Sequence, residues 1–203
     1  MTNIPDQSRF ESMYETGAPW DIGRPQQPFV EVAGEITGHV LDAGCGTGAL
    51  SLFLASRGNE VTGIDFLAGP IERAQQQAIE RGLAITFLVK DALTLSQWDR
   101  RFDNAVDSGL FHVFSDDARA QYVHGLTTVV TPGGRLFLQC FSIDEPGPDG
   151  PRRVSESELR NAFNDGWIIE SIKATRFETR TDLPGISFSE GGPKSWFLTA
   201  RRI

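Results

Sequence analysis

The first apolar segment of the chain ends in a glycine-rich turn, which reads Leu41-Asp42-Ala43-Gly44-Cys45-Gly46-Thr47-Gly48. Glycines at alternate positions allow a sharp turn and let a ligand approach the backbone where any Cβ atom would collide. Leu50, Phe53 and Leu54 follow at helical spacing. The segment therefore predicts a strand, a ligand-binding turn and a helix, which form the first unit of an α/β fold.

Strand-like and helix-like segments alternate along the rest of the chain. Ser115 is expected to cap one helix, and Ser155 with Glu158 has the spacing of a capping box. The pattern predicts a mainly parallel, doubly wound sheet whose ligands bind beyond the carboxyl ends of its strands. Its seven strands are predicted at residues 39–43, 60–65, 84–89, 102–106, 135–141, 167–177 and 195–200.

Length and composition predict one domain. The chain has 203 residues, of which 39% are hydrophobic and 23% charged, as in ordinary globular proteins. Residues 1–37 do not fit the alternation and are interpreted as an N-terminal lid, in front of a core formed by residues 38–203. Three prolines between Pro19 and Pro28, together with Trp20 and Phe29, characterise this lid.

The charge balance bears on partners and location. Lysine and arginine number 19 against 27 acidic residues, which gives a net charge of −8. This charge repels phosphate backbones and anionic lipids, so neither nucleic acid nor a membrane is an expected partner. Cys45 and Cys140 are far apart in sequence, and no signal peptide or membrane span is recognisable. We expect a monomer in the cytoplasm.

Four aspartates end the first four predicted strands, at Asp42, Asp65, Asp91 and Asp107. The glycine spacing also satisfies a loose dinucleotide fingerprint, but a pyrophosphate beside Asp42 would be repelled by roughly 4 kcal/mol. A carboxylate at Asp65 suits ribose hydroxyls, and one at Asp91 suits an adenine amino group. An acidic rim of this kind favours a cationic nucleoside. Alternatively, Asp107 caps the following turn.

These motifs together resemble the class I S-adenosylmethionine-dependent methyltransferases. The resemblance rests on the glycine turn, the acid at Asp65, the pair Asp91-Ala92 and the turn Thr131-Pro132-Gly133-Gly134. It implies a Rossmann-like methyltransferase fold with an antiparallel last strand, and S-adenosyl-L-methionine as cofactor. The cofactor-binding residues it implies are Trp20, Arg24, Asp42, Gly44, Gly46, Gly48, Asp65, Phe66, Asp91, Ala92 and Asp107.

A narrower resemblance involves the segments Ala18 to Pro25 and Asp107 to His112, which are similar to the thiopurine and thiol methyltransferase group. The whole chain is also similar to actinobacterial methyltransferases of heterocyclic toxins such as hydroxyquinolones. By analogy, the Trp20 indole would lie beside the sulfonium and the Arg24 guanidinium near the methionine carboxylate. The implied acceptor is a small aromatic heterocycle of the hydroxyquinolone, quinol or phenol type, or a thiol.

Methyl transfer from a sulfonium mainly requires alignment, so few catalytic residues are expected. His112 is the candidate general base for a hydroxyl acceptor, and Tyr14 in the lid is a second polar candidate. Alternatively, His112 is a structural histidine. No metal site is expected, because the three histidines are scattered. Candidates for an apolar acceptor pocket are Phe10, Trp20, Phe29, Phe111, Phe114, Phe141 and Phe188.

Three other functions remain open from the residues alone. A non-catalytic S-adenosylmethionine-binding module would share the cofactor motifs but transfer nothing. A nucleic-acid methyltransferase would show a basic face and a Pro-Pro-aromatic motif after the fourth strand, where this chain has Asp107-Ser108-Gly109-Leu110. A nicotinamide oxidoreductase would bind NAD(P)H and not S-adenosylhomocysteine.

Overall fold

The computed structural model describes residues 7–147, 149–180 and 188–203, and a single sheet runs through them. The strands are β1 (His39–Ala43), β2 (Glu60–Asp65), β3 (Ile85–Val89), β4 (Phe102–Ser108), β5 (Val130–Phe141), β6 (Trp167–Arg176) and β7 (Lys194–Arg202). The helices are α1 (Gln7–Thr16), α2 (Gln27–Glu31), α3 (Ala49–Ser56), α4 (Ala68–Glu80), α5 (Asp116–Val129) and α6 (Glu156–Ala162). Short 3₁₀ helices span Ala92–Gln97 and Phe111–Val113.

The sheet has the strand order β3-β2-β1-β4-β5-β7-β6. Strands β1 to β5 pair in parallel, and β7 pairs antiparallel with both β5 and β6. This confirms a doubly wound, mainly parallel seven-stranded sheet with an antiparallel last strand. Because β6 runs with β1 to β5, the carboxyl ends of six strands and the start of β7 share one edge.

The two faces of the sheet carry separate apolar layers, as the side-chain alternation of β1 illustrates. Val40 packs with Phe29, Leu54 and other side chains on one face, whereas Leu41 packs with the layer beneath α5 on the other. All of these residues are fully or almost fully buried. The burial of both faces explains why the inner strands are apolar runs rather than strict alternations.

The largest differences from the prediction are the start of β5 and the presence of helix α1, and both have physical reasons. Strand β5 begins at Val130, not Arg135, because Val130 still pairs with Phe102 before the register shifts to Asn104 with Arg135. The intervening turn includes Gly134, where a Cβ atom would lie 2.3 Å from the Asp103 carbonyl oxygen. Helix α1 was not predicted, because its sequence is polar and none of its residues is buried.

The predicted caps are confirmed. Ser115 Oγ accepts from the Ala118 amide at the start of α5. Ser155 and Glu158 form the reciprocal capping box of α6, in which each side chain accepts from the other residue's amide. Part of the connection between the predicted strands at 167–177 and 195–200, which includes Pro184 and Gly185, lies outside the described residues. In the part of the chain that the structure describes, no helix is long and apolar enough to cross a bilayer.

Candidate active site

The glycine turn lies between the end of β1 and α3, where the backbone folds tightly against β2. Gly44 and Cys45 donate their amides to the Ile64 carbonyl, at 2.8 and 2.9 Å. Gly44, Gly46 and Gly48 all have positive φ, from 52° to 84°. A Cβ on Gly44 would lie 3.0 Å from Leu110 Cβ, and one on Gly48 would lie 2.9 Å from Ala74 Cβ. The turn therefore requires glycine both for its conformation and for its close contacts.

Asp65 ends β2 beside this turn. Its carboxylate accepts from the Gly46 and Leu67 amides, each at 3.0 Å, which orients it at the edge of the sheet. Burial raises the pKa of this carboxyl, and the amide hydrogen bonds oppose that rise. Asp91 is exposed after β3 and accepts from the Leu93 amide at 2.9 Å, followed by the buried Ala92.

Asp42 and Asp107 do not form an open acidic rim, which corrects the expectation from the sequence. Asp42 is 1% exposed, and its carboxylate accepts from the Ser51 hydroxyl at 2.6 Å. Burial raises the pKa of Asp42 to about 7. A carboxyl beneath the backbone of the turn carries less negative charge at neutral pH than the sequence argument assumed.

Asp107 is fully buried and caps the turn after β4, as the alternative interpretation held. It accepts from the Leu110 amide at 2.7 Å, the Phe111 amide at 3.0 Å and the Tyr122 hydroxyl at 3.0 Å. Burial also raises the pKa of Asp107 to about 7, against those hydrogen bonds. Its carboxylate organises the segment that follows β4 and has no open face toward a ligand.

The residues around the turn fit an adenosyl cofactor. Positive-φ glycines keep the turn tight, with other protein atoms within about 3 Å of where each Cβ would lie, and Asp65 and Asp91 end the two neighbouring strands at the same edge. This arrangement suits a ligand that crosses the turn and offers ribose hydroxyls and an amino group to carboxylates. Asp42 beneath the turn can gain negative charge when a cation lies above it.

The lid lies directly over the turn. Thr47 donates its hydroxyl to Asp21 at 2.8 Å, and a Cβ on Gly46 would lie 2.5 Å from the Tyr14 hydroxyl oxygen. That oxygen accepts from the Trp20 indole N–H at 3.1 Å. The predicted lid residues therefore meet the predicted cofactor turn.

Aromatic rings connect the lid with the end of β2. Phe10 lies 5.9 Å from both Trp20 and Phe66, measured between ring centroids. Burial, and then the charge of Asp65, raise the pKa of Tyr14, so its hydroxyl stays protonated. Phe66 thus stands beside the lid, next to the Asp65 carboxylate.

Arg24 is the predicted cofactor residue that the structure places elsewhere. Its guanidinium forms an ion pair with Glu178, and the side chain is 58% exposed. Glu178 also exchanges two backbone hydrogen bonds with the Gln26 side chain, at 2.7 and 2.9 Å. The segment after β6 therefore holds this end of the lid. Arg24 could pair with the methionine carboxylate of the cofactor only if it first left Glu178.

A second aromatic group lies beyond the ends of β4, β5 and β6, and we call it the acceptor cluster. It consists of His112, Phe141, Phe177 and Phe188, whose rings lie 5.2 to 5.9 Å apart in successive pairs. Leu110, which touches the glycine turn, lies two residues before His112. The cluster and the turn are thus neighbouring parts of one edge.

Several predicted pocket aromatics belong to the apolar core instead. Phe29 is fully buried against Phe197, and Phe111 is fully buried against Phe163. Phe114 packs on Tyr122 in the same layer. Of the candidates from the sequence, Phe10 and Trp20 lie in the lid, and only Phe141 and Phe188 belong to the acceptor cluster.

The hydrogen bonding of His112 argues against its predicted role as a general base. Its Nδ1 accepts from the Phe141 amide at 3.1 Å. A backbone N–H can only donate, so the ring proton of the neutral form is on Nε2. Burial, with Arg119 and Arg153 nearby, lowers the pKa of His112 to about 3. The ring is therefore a neutral donor through Nε2, as a structural histidine would be.

Sequence reasoning missed Phe177, Glu145 and Arg153 in this region. Arg153 donates to five carbonyl oxygens between Glu145 and Pro151 and lies over the Phe141 ring, with Cζ 5.2 Å from its centroid. Glu145 accepts from the Ser189 and Lys194 amides, at 2.9 and 2.8 Å. No local motif marks such residues, because their partners are carbonyls and amides of an irregular loop. Among the described residues, no group of three or more His, Cys, Asp or Glu could hold a metal ion.

Comparison with known sequences gives two informative relatives. A family model described as a methyltransferase domain matches residues 40–134. The 2-heptyl-1-hydroxyquinolin-4(1H)-one methyltransferase of Mycobacteroides abscessus is 35% identical, with 92% of this chain and 86% of the relative covered. Probable thiol methyltransferase 2 of Arabidopsis thaliana is 31% identical, with 76% and 70% covered.

Comparison with solved structures agrees. A structure from a study of the conversion of a disulfide bond into a thioacetal group during echinomycin biosynthesis matches with a TM-score of 0.83 and 34% identity. It covers 96% of this chain and 92% of that one. The 1,6-didemethyltoxoflavin-N1-methyltransferase of Burkholderia thailandensis, with 1,6-didemethyltoxoflavin and S-adenosylhomocysteine bound, matches with a TM-score of 0.74 over 96% and 86%. The two sequences are 23% identical, so this second comparison shows a shared fold and no more.

Proposed function

The chain belongs to the S-adenosylmethionine-dependent methyltransferases that act on small molecules, and we propose that its acceptor is an aromatic heterocycle with a ring hydroxyl, of the 1-hydroxyquinolin-4(1H)-one type. The acceptor cluster carries this proposal, because its four aromatic side chains lie at the same edge of the sheet as the glycine turn and offer aromatic contacts to a ring. His112, Phe141 and Phe177 are buried, so a ring that packs against them would displace some of their present neighbours. The relative that is named for such an acceptor aligns with 92% of the chain, which supports the same choice.

The chain's own residues would hold the cofactor at the glycine turn. We propose that Asp65 accepts from the ribose hydroxyls and Asp91 from the adenine amino group, with Phe66 and Ala92 beside them. Gly44, Gly46 and Gly48 would give the ligand access to the backbone, and Trp20 and Tyr14 would cover it from the lid. When bound, S-adenosylmethionine supplies a methyl group on a positively charged sulfur.

The remaining roles concern the acceptor. We propose that its ring packs against Phe141 and Phe177, while His112 donates a hydrogen bond from Nε2 to a ring oxygen. Tyr14 would offer a protonated hydroxyl, since burial raises the pKa of Tyr14. These contacts orient the acceptor in a site with little water, which is the main requirement for methyl transfer.

A thiol is the second candidate acceptor, and sequence similarity favours it. The Arabidopsis relative is named a probable thiol methyltransferase, and the matching structure at 34% identity concerns sulfur chemistry. Phe141 and Phe177 are already buried, so the burial of their rings does not separate the two acceptors. The relative named for the hydroxyquinolone aligns with more of this chain than the relative named for thiols, 92% against 76%. The ring acceptor therefore ranks first.

An acceptor panel tests the choice. The purified protein would be incubated with S-adenosylmethionine and a 1-hydroxyquinolin-4(1H)-one, with the same ring lacking the hydroxyl, or with an aliphatic or an aromatic thiol. Methylated products would be measured by mass spectrometry. We expect the highest kcat/KM with the hydroxylated ring. Faster transfer to the thiols would favour the second candidate, and binding without any transfer would favour a non-catalytic module.

A further inference from the structure

We infer that the acceptor binds as a preformed oxyanion, whose proton has already passed to solvent, and that the described side chains around the acceptor cluster act as donors and cations rather than as a base. This inference rests on the proposed function, since it concerns a ring hydroxyl placed at His112, Phe141, Phe177 and Phe188. If the inference holds, the pH dependence of methyl transfer follows the ionisation of the acceptor and not the ionisation of a group on the enzyme.

The first step concerns His112, the group in the cluster that could most readily take a proton. The lone pair on Nδ1 is directed at the Phe141 amide, 3.1 Å away. Nε2 then already carries the ring proton, so a second proton would create a buried imidazolium. Arg119 and Arg153 face this ring from α5 and from the segment before α6, and both oppose that charge. His112 can stabilise an oxyanion but cannot generate one.

The acidic side chains near the cluster are already engaged. Glu145 is 3% exposed, and its two oxygens accept from the Ser189 and Lys194 amides. Asp107 is fully buried, with amide donors and the Tyr122 hydroxyl on its oxygens. Glu158 accepts from Arg152 and from Ser155. Around the cluster, as far as the structure describes it, each of these carboxylates has its own partners and none is a free base.

Two cations surround the same cluster in a protein whose net charge is −8. Arg153 lies over the Phe141 ring, and Arg119 lies over the Phe111 ring with Cζ 4.5 Å from its centroid. Arg119 is 4% exposed, and its Nε and Nη2 have no hydrogen-bond partner among the described residues. Opposite charge nearby favours the ionised form of a hydroxyl. Arg119 already shares its Nη1 with Glu158 and Asp116, at 3.4 and 3.8 Å. Arg153, whose described hydrogen bonds go to carbonyl oxygens, is therefore the cation that best suits an anionic acceptor.

The direct test is an absorption titration of the bound acceptor. A 1-hydroxyquinolin-4(1H)-one absorbs at longer wavelengths than tryptophan, and its spectrum changes on ionisation. In the complex with S-adenosylhomocysteine, where no transfer occurs, we expect the pKa of the bound hydroxyl to be lower than in water by about 1 to 3 pH units. An unchanged or raised pKa would overturn the inference.

Kinetics give a second readout. For ring acceptors whose hydroxyls differ in acidity through ring substituents, we expect the inflection in kcat/KM against pH to move with the acidity of each acceptor. An inflection at one pH for all acceptors would indicate an enzyme base and contradict the inference. His112→Gln retains an N–H donor, so the inflection for each acceptor should stay at the same pH. If His112 were a general base, this substitution would remove the inflection from the pH profile.

Charge variants separate electrostatics from loop structure. Arg153→Met should bring the pKa of the bound acceptor at least halfway back to its value in water. Arg153→Lys keeps the positive charge, so the pKa of the bound acceptor should stay nearly as low as in the wild type. Arg160→Met is the matched control, because Arg160 is exposed and pairs with Glu156 on its own helix. If Arg153→Met had no effect, or Arg160→Met had an equal one, the inference would fail. Absence of both binding and transfer for every hydroxylated ring would instead contradict the proposed function.

Discussion

At the scale of single residues, the strand-end aspartates separate what a sequence can predict from what it cannot. Their positions at the ends of β1 to β4 followed from the apolar runs that precede them. Their environments could not be predicted in this way. Successive side chains of a strand point to opposite faces, so a shift of one residue decides whether a carboxylate faces a ligand or the protein interior. Asp91 is exposed, and Asp65 is 7% exposed with its carboxylate on the Gly46 amide of the turn, whereas Asp42 and Asp107 are at most 1% exposed.

The burial of Asp107 predicts a pH-dependent stability. Its folded pKa of about 7 exceeds the unfolded value of 3.8, so its stabilising effect is present below pH 3.8 and is lost as the pH rises to 7. Asp107→Asn removes this titration. The free energy of unfolding of the variant, minus that of the wild type, should rise by about 1.4 kcal/mol per pH unit across this range.

Denaturant titrations at several pH values measure that difference. Tyr122→Phe serves as a companion variant, because it removes the hydroxyl that donates to Asp107 and helps its ionised form. Tyr122→Phe should raise the folded pKa of Asp107 further, so that the free energy of unfolding continues to fall with pH to higher values than in the wild type. A difference between Asp107→Asn and wild type that stays constant from pH 4 to pH 7 would show that Asp107 is not the buried acid described here.

Asp65 should carry much of the affinity for the adenosyl group. Asp65→Asn removes the charge from a carboxylate proposed to accept ribose hydroxyls, and such charge-assisted hydrogen bonds contribute about 1.5 to 3 kcal/mol. We expect S-adenosylhomocysteine to bind about 10- to 150-fold more weakly, measured by calorimetry. Asp99→Asn, at an exposed aspartate before β4, is the control and should bind normally. Equal affinities for the two variants would disprove this role of Asp65.

At the scale of elements, prediction succeeded where local signals act alone. The bounds of β1 and β2 and the caps at Ser115 and Ser155 depend on neighbouring residues, so the sequence predicted them correctly. Helix α1 depends on tertiary contacts of Tyr14 with Gly46 and Arg73. Such contacts leave no hydrophobic periodicity in the sequence of the helix. The lid was therefore recognised as a departure from the pattern, but its helices were not.

The Gln26 side chain is a buried polar anchor of the lid. It is 5% exposed and makes two hydrogen bonds to the backbone of Glu178. Gln26→Ala leaves both backbone groups without this partner, at a local cost of about 1 to 3 kcal/mol. Amides in residues 7–37 should therefore exchange with deuterium about 5- to 150-fold faster, as measured by mass spectrometry.

The neighbouring Gln27 provides the matched control, because its side chain is exposed and its described hydrogen bond goes to Glu31 on the same helix. Gln27→Ala should leave exchange in the lid unchanged. If the two variants exchanged alike, the pairing of Gln26 with Glu178 would not be what holds the lid against the core.

At the scale of the whole molecule, the alternation of strands and helices predicted the fold class, and the family resemblance supplied the antiparallel last strand. Neither placed β7 between β5 and β6, because strand order depends on long-range pairing. The acceptor cluster was partly missed for the same reason: Phe177 and Phe188 reach Phe141 only once β6 and β7 are in position. The family resemblance supplied the cofactor, whereas the charges favoured only a cationic nucleoside, and three of the four carboxylates proved to be buried.

Cofactor binding should stabilise the whole domain. A ligand at 100 times its dissociation constant adds about 2.7 kcal/mol, and a domain of this size gains roughly 2 to 4 °C in Tm per kcal/mol. S-adenosylhomocysteine should therefore raise Tm by about 5 to 11 °C in thermal unfolding. NADH at the same concentration should leave Tm unchanged, and a shift with NADH alone would favour an oxidoreductase.

We propose that the glycine turn and the acceptor cluster form one site. A crystal structure of the protein with S-adenosylhomocysteine and a 1-hydroxyquinolin-4(1H)-one tests it most directly. We predict that the ring contacts Phe141 and Phe177, with its hydroxyl oxygen toward the sulfur and His112 Nε2 within hydrogen-bond distance of a ring oxygen. A ring bound away from the cluster, with its oxygen turned from the sulfur, would contradict the account.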